Sequence, residues 1–307
     1  MENQQFEHQE WQPSSQQSYV NTDPREQQAY IPQPGYIDPR EKIQPAPRKR
    51  RLWLWIIAGL VIIALLGSGV QAGLKNIVNT SSETHTYVVK ALPTLVLNDA
   101  TGTVTIHTGG ANSPVTIQAT KHSQSFGSAP TVKYSQDGNT ITATVQNQSN
   151  NPLSFATNNV DFNVTVPTNA NLQIHTDTGA IDVEGVSGTM SLSTATGSIT
   201  ANQDALSGQS SLQTNTGDIN FDGSIASSGN YKFTSDTGSV DVTLPSSPSF
   251  HVDATTDTGS INSDFTQVNV HEHDFTGSDA HGDVGNSPSA TVTLKTNTSS
   301  IDLHEGQ

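Results

Sequence analysis

One short turn recurs along the C-terminal half of this chain. It reads Thr176-Asp177-Thr178-Gly179, Thr194-Ala195-Thr196-Gly197, Thr214-Asn215-Thr216-Gly217, Ser235-Asp236-Thr237-Gly238, Thr256-Asp257-Thr258-Gly259 and Thr296-Asn297-Thr298-Ser299. The five glycines are spaced by 18, 20, 21 and 21 residues, and the last copy lies 40 further on, which leaves room for one irregular coil. Two residues after each turn stands Ile or Val: Ile181, Ile199, Ile219, Val240, Ile261 and Ile301. Ala100-Thr101-Gly102-Thr103-Val104 is a looser, earlier copy. Self-similarity at this period marks a stack of equivalent units, each too small to bury its own apolar face.

The local physics is that of β-structure. Alternating residues precede each turn, as in Met190-Ser191-Leu192-Ser193, and follow it, as in Ser198-Ile199-Thr200-Ala201. Period-2 alternation puts one face inside and one in solvent. The glycine supplies the positive φ of a tight turn. A third apolar residue closes each coil, as with Val186, Leu206 and Ile225. The expected fold is all-β: a β-solenoid of roughly 20-residue coils. Its core columns are expected to be Leu172, Leu192, Leu212 and Phe233, beside Ile181, Ile199, Ile219, Val240 and Ile261. Thr and Asn at the turns are expected to hydrogen-bond along the stack. Residues 84–170 carry strand-like runs separated by turn signals such as Asp137-Gly138-Asn139. They predict an N-terminal antiparallel β cap over the first coil.

The chain before this region is different. Residues 1–51 hold a Gln/Pro-rich, low-complexity segment ending in Arg48-Lys49-Arg50-Arg51, read as a disordered cytoplasmic tail with a basic stop. Asp23-Pro24-Arg25-Glu26 returns as Asp38-Pro39-Arg40-Glu41, a doubled motif that could engage a partner twice. Leu52 to Val70 are free of charge, with Trp53 and Trp55 at the near end. The pattern predicts a transmembrane helix over 52–74, a single contact with membrane lipid, and a linker at 75–83. The basic flank places the N-terminus in the cytoplasm and residues 84–307 outside the cell. A cleaved signal peptide, suggested by Val70-Gln71-Ala72, is disfavoured by the long segment before it.

Composition bounds the function. Hydrophobic residues make up 32% and charged residues 13%, and there is no cysteine. That excludes disulfides, thiolate metal sites and thiol catalysis. The net charge of −15 argues against nucleic acid as a partner.

The strand ending Val164-Thr165-Val166-Pro167, then Leu172-Gln173-Ile174, then the Thr-Gly-x-Ile/Val coils resemble the bacterial "putative adhesin" domain, a family of unknown function on membrane-anchored envelope proteins. The resemblance covers roughly residues 90–305. It implies a β-solenoid without an established catalytic activity. Some members of that family accompany envelope-stress signalling systems, so it also implies a sensory alternative.

Several side chains are candidates for chemistry. Asp177, Asp236 and Asp257 each open an Asp-Thr-Gly triplet, the aspartic-protease signature, but at equivalent corners of a repeat. Asp182, Asp218, Asp222 and Asp241 could pair for sugar cleavage, and solvated turn carboxylates are the simpler reading. His271, His273, Asp274 and His281 are candidate metal ligands on a stretch read as an irregular polar loop. The expectation is therefore no catalytic residue, no metal and no cofactor. The chain is expected to be a membrane-anchored, adhesin-like binding or scaffold protein. Its partner would be an envelope or surface polymer, or another envelope protein. The alternatives are a regulatory membrane protein signalling through its tail and, more weakly, a polysaccharide-active enzyme.

Overall fold

The computed structural model describes residues 78–89, 91–124, 129–146, 158–273 and 276–306. The expected tail and the expected helix over 52–74 lie outside them. Among the described residues no helix is long and apolar enough to cross a membrane.

All described regular structure is β. The first part comprises β1 (Val78–Tyr87), β2 (Thr94–Thr101), β3 (Val104–Thr108), β4 (Val115–Gln124), β5 (Thr131–Asp137), β6 (Thr140–Gln146) and β7 (Asn159–Val166). The repeats follow as β8 (Asn171–Thr178), β9 (Ile181–Glu184), β10 (Ser187–Gly188), β11 (Met190–Thr196), β12 (Ile199–Thr216), β13 (Ile219–Thr237) and β14 (Val240–Pro245). The last part is β15 (Phe250–Thr258), β16 (Ile261–Ser263), β17 (Val268–Glu272), β18 (Ser278–Val284), β19 (Ser289–Thr298) and β20 (Ile301–Gly306). β1 already covers Val78 to Glu83, so most of the expected linker is strand.

Each coil has a long side before the turn, a second side after it and a short third side. Successive coils pair in parallel and in register, so that Ile199 lies between Ile181 and Ile219, and Leu212 between Leu192 and Phe233. β12 and β13 are long because they bend through the third side without losing their pairing. The alternation buries every second residue, as the inward Val292 and Leu294 of β19 show. Leu172 is one pair away from its expected column: it faces Met190, and Ile174 faces Leu192. Counting back from the turn glycine explains this, since Ile174, like Leu192, stands five residues before it.

The stack does not follow chain order. β19 lies between β13 and β15, pairing in parallel with both. β20 lies likewise between β14 and β16. The last coil in sequence is thus inserted between the coils that carry the Gly238 and Gly259 turns. The other end repeats the device. β2 lies between β6 and β8, and β3 between β7 and β9, all in parallel. The cap is therefore only partly antiparallel: β6 and β7 form a further parallel layer, while β5, β4 and β1 pair antiparallel outside it. At the far end β18 and β17 form an antiparallel hairpin on β15, where an irregular coil was expected. Pairing against a neighbour removes an open edge and satisfies its backbone groups, which an irregular loop would not do.

Candidate functional site

The turn edge carries the most repeated polar residues of the stack. The residue three before each turn glycine points inward and is buried: Thr176, Thr194, Thr214, Ser235, Thr256 and Thr296. In five of the six the hydroxyl donates to a turn carbonyl of the adjacent coil, whereas Thr176 Oγ1 has no partner. Thr194 donates to Gly179 O at 3.0 Å, Thr214 to Gly197 O at 2.9 Å, Ser235 to Gly217 O at 2.9 Å, Thr296 to Gly238 O at 2.8 Å and Thr256 to Ser299 O at 2.9 Å. These bonds are structural, and they explain why Thr recurs there.

The next residue along points out. Asp177, Asp236 and Asp257 are all exposed at this edge. The position passes from Asp177 through Ala195 and Asn215 to Asp236, and then through Asn297 to Asp257. At about 4.8 Å per layer, no two of the three aspartates come closer than roughly 10 Å. A protease dyad needs two carboxyls sharing one proton, and this edge does not bring them together.

The outer face after the turn carries the carboxylates considered for sugar chemistry. In register along it run Thr105, Asp182, Thr200, Asn220, Asp241, Asp302 and Asn262. Thr200 and Asn220 hold Asp182 and Asp241 about 14 Å apart. Asp218 instead braces the turn, accepting from Ser239 N at 2.8 Å and Ser239 Oγ at 2.9 Å. Asp222 lines a shallow hollow of about 310 Å³ beside Asp204 and Thr243.

Insertion of the last coil creates a cluster on this face that spacing could not reveal. Asp241 and Asp302 are direct neighbours across β14 and β20. Asn262 Nδ2 donates to Asp302 Oδ1 at 2.8 Å. His304 Nδ1 meets Asp264 Oδ2 at 3.0 Å, and its Nε2 lies 3.8 Å from Asp241 Oδ1. Its bond to Asp264 raises the His304 pKa, and the same bond lowers that of Asp264. Partial burial holds Asp241 above the usual carboxylate range, with the Asp302 charge adding to the rise and His304 opposing it. The side chains of His304, Asp241 and Asp264 are 45, 45 and 58% exposed. An open face of this kind can hydrogen-bond a ligand but does not exclude water from one.

The histidines of the cap hairpin form pairs with carboxylates. His273 Nε2 lies 2.9 Å from Asp279 Oδ1, and His281 Nε2 lies 3.2 Å from Asp279 Oδ2. His281 Nδ1 reaches Asp253 at 3.3 Å, and His251 Nδ1 is 2.6 Å from Asp283. His271 is opposite Asp279 in the β17–β18 register and is exposed. Asp274 lies outside the described residues. Among the described residues no three His, Asp or Glu side chains are grouped to hold a metal ion.

Two buried carboxylates escaped the sequence reading. Asp204 accepts from Val186 N at 2.6 Å through Oδ1, beside Gln203, whose φ of 58° makes the bulge between Asn202 and Asp204. Burial pushes its carboxyl up to about 7, and Glu184 adds to this. Asp99 stands where the other coils have Thr or Ser, three residues before Gly102. Its Oδ1 accepts from Ala100 N at 2.8 Å and Thr101 N at 3.3 Å, while its Oδ2 is buried without a partner. Burial pushes it up to about 6, with Asp161 and Asp177 contributing.

Residues 93–228 and 171–304 both match the family described as Toastrack DUF4097, in agreement with the resemblance carried by the Thr-Gly coils. Among solved structures, a "putative cell adhesion protein" from Clostridium sporogenes is 12% identical, with 74% of this chain and 100% of that chain covered and a TM-score of 0.43. A "putative adhesin" from Bacteroides fragilis is 9% identical, covering 73% of this chain and 97% of that one at a TM-score of 0.27. Another from Parabacteroides distasonis is 10% identical, with 74% and 98% covered and a TM-score of 0.24. No curated protein matches the chain.

Proposed function

The chain belongs to the Toastrack DUF4097 family, and from that premise we propose that it is a membrane-anchored, adhesin-like surface protein that binds an extended envelope polymer without cleaving it. The anchor in this reading is the charge-free run from Leu52, with the N-terminus in the cytoplasm and the β-domain outside. The observation that carries the binding reading is the outer polar row from Asp182 to Asn262, held in register layer by layer. A row repeating at about 4.8 Å presents hydrogen-bonding groups along a line, which suits a polyhydroxylated chain better than a compact molecule. The bond from Asn262 to Asp302 fixes part of that row before any ligand arrives.

The non-catalytic reading has separate support. The carboxylates that could pair are either about 14 Å apart or lie together on an open face. Catalysis on a glycoside needs an acid and a second carboxyl flanking one bond in a site that orients it.

The test uses the full chain in detergent micelles, incubated with peptidoglycan and with surface polysaccharides, scoring retention and released fragments. Retention without release is expected, weakened about tenfold by Asp302→Ala together with Asn262→Ala, a loss on the order of 1.4 kcal/mol. Release of sugar fragments would sink the non-catalytic reading. Neither retention nor release would favour the regulatory alternative, in which the doubled Asp-Pro-Arg-Glu motif recruits a cytoplasmic partner.

A further inference from the structure

On the two longer sides of the stack the described strands leave four outermost edges, and they are not alike. β16 spans only three residues. β17 spans five and ends in His271 and Glu272. β5 carries Lys133 and Asp137. Short length and charged side chains are the usual means by which a folded protein keeps its sheet edges from pairing. β1 has neither. It spans ten residues without Pro, Gly or Lys. It pairs with β4 from Val78 to Tyr87 with no bulge, and among the described residues no strand covers its other edge. At about 3.4 Å per residue that edge is some 34 Å long.

The side chains of β1 add to this. Its one charged residue, Glu83, is already neutralised by Lys121 Nζ at 2.7 Å and held by Tyr134 Oη at 2.9 Å. His85 stacks on the same Tyr134 ring at a centroid distance of 4.0 Å. The inner side of the strand is thereby fixed against β5. Its outer side is a run of exposed Thr80, Ser82, Thr84 and Thr86, residue types that suit a strand and pair well with themselves across one. In a chain of net charge −15, this edge is one where two copies meet without opposing charges.

We infer that the free edge of β1 is a self-association surface, on which a second copy of this chain adds its own β1 antiparallel. The residues select a register. Pairing centred on Thr84 sets Glu83 opposite His85 of the second copy, and the converse, so that an imidazole rather than a second carboxylate stands across the two-fold axis from each Glu83. It also sets Ser82 opposite Thr86 of the second copy. Centring on Glu83 would oppose two carboxylates, and centring on Ser82 would leave the imidazoles facing Asn79. This inference rests on the fold and on β1 alone, and is independent of any polymer bound by the outer polar row.

The chain contains no cysteine, so a single introduced one reports cleanly. The full chain in detergent micelles is compared as Thr84→Cys and Ser82→Cys under mild oxidation. Thr84 lies on the proposed axis, whereas the two Ser82 residues would be about 14 Å apart, beyond disulfide reach. Disulfide-linked dimer is expected at least tenfold faster for Thr84→Cys. Light scattering should give twice the chain mass for the unaltered protein and once that mass for Thr84→Lys, with the melting temperature of Thr84→Lys unchanged. A monomeric unaltered protein, or equal cross-linking at the two positions, would overturn the inference.

Discussion

The turn edge is built in two ways at the two ends of the stack. Toward the C-terminal cap the hydroxyl ladder runs unbroken through the inserted last coil, and Ser278 of β18 extends it to Gly259 O at 3.3 Å. Toward the N-terminal cap it stops. Thr176 Oγ1 is buried without a partner, and the next position is Asp99. The backbone at this end keeps the same geometry. A Cβ on Gly179 would sit 1.8 Å from Gly102 O, and one on Gly102 would sit 2.0 Å from Val160 O. Carbonyls therefore stand where the ladder would accept, yet the Thr176 hydroxyl makes no bond and the next group in line is a carboxyl. A hydroxyl donates at every pH. A carboxyl donates only while it keeps its proton, so the two ends answer differently to acid.

The close approach of coils is common to both ends, and breaking it should have the largest effect. Gly217 has a φ of 144°, and a Cβ there would lie 2.1 Å from Gly197 O. Backbone strain and a main-chain collision act together. Gly217→Val is expected to cost about 3–4 kcal/mol. Gly138 has a φ of 59° with nothing within 4 Å of its Cβ position, so Gly138→Val meets strain alone. Its expected cost is about 1–2 kcal/mol. Equal losses in thermal or urea melts would refute the close-approach account.

Asp99→Thr sharpens the comparison by giving the N-terminal end the residue of the others. In the folded chain Asp99 is raised from an ordinary 3.8 to about 6. The folded state therefore holds this proton where the unfolded state has lost it. The associated stability is fully present below about pH 4, falls as pH rises toward 6, and is absent above. Asp204 acts in the same sense over a window reaching about 7. The domain should thus melt at higher temperature at pH 5 than at pH 7.5, so long as these two acids dominate. At pH 7.5, Asp99→Thr should stabilise by about 2–3 kcal/mol, the free energy of keeping a carboxylate ionised in a site that favours its protonated form to this extent. The variant should also flatten the pH profile between 4 and 6. A steeper fall with rising pH would count against a buried neutral Asp99.

Thr214→Val tests the intact part of the ladder. The swap keeps the shape, removes the donor to Gly197 O, and should cost about 1–2 kcal/mol at any pH between 5 and 8. Pairing it with Asp99→Thr in a double variant should give additive effects, because the two sites share no partner.

Much of this was legible from residue spacing. The coil period, the Ile199–Ile219 column and the structural nature of the Asp-Thr-Gly triplets follow from alternation and from glycine turns. Asp99 was legible in principle, since counting back from Gly102 puts it in line with Thr176. Leu172 was misplaced for want of the same count. The insertion of β19 and β20 was not legible. Any coil with the same turn and apolar positions offers the same parallel partner, so the pattern defines the layer but not its place in the stack. The Asp241–Asp302–His304–Asp264 cluster depends on that place, and so did not show. The hairpin of β17 and β18 was hidden because His271, His273 and their neighbours have little apolar alternation to announce a strand.

The inserted coil leaves one local mark, which supports the smallest prediction. Its turn has Ser299 where the other coils have glycine, at a φ of 152°. By the pattern of the stack, the Ser299 Cβ points at the carbonyl of Gly238. The layers separate there: Gly238 N reaches Thr298 O at 3.3 Å, whereas the equivalent bonds of Gly179, Gly197 and Gly217 are 2.8, 2.8 and 2.9 Å. The stretch is what a Cβ in that place requires. Ser299→Gly removes both the collision and the strained φ, and against this it increases the freedom of the unfolded chain. The strain removed is the larger, leaving a net gain of about 0.5–1 kcal/mol. A crystal structure of the variant should show the Gly238–Thr298 bond shortened toward 2.9 Å, and a urea melt should move to higher denaturant. A lower midpoint would mean that the wider spacing has another cause, and that Ser299 is there for a contact of its own hydroxyl.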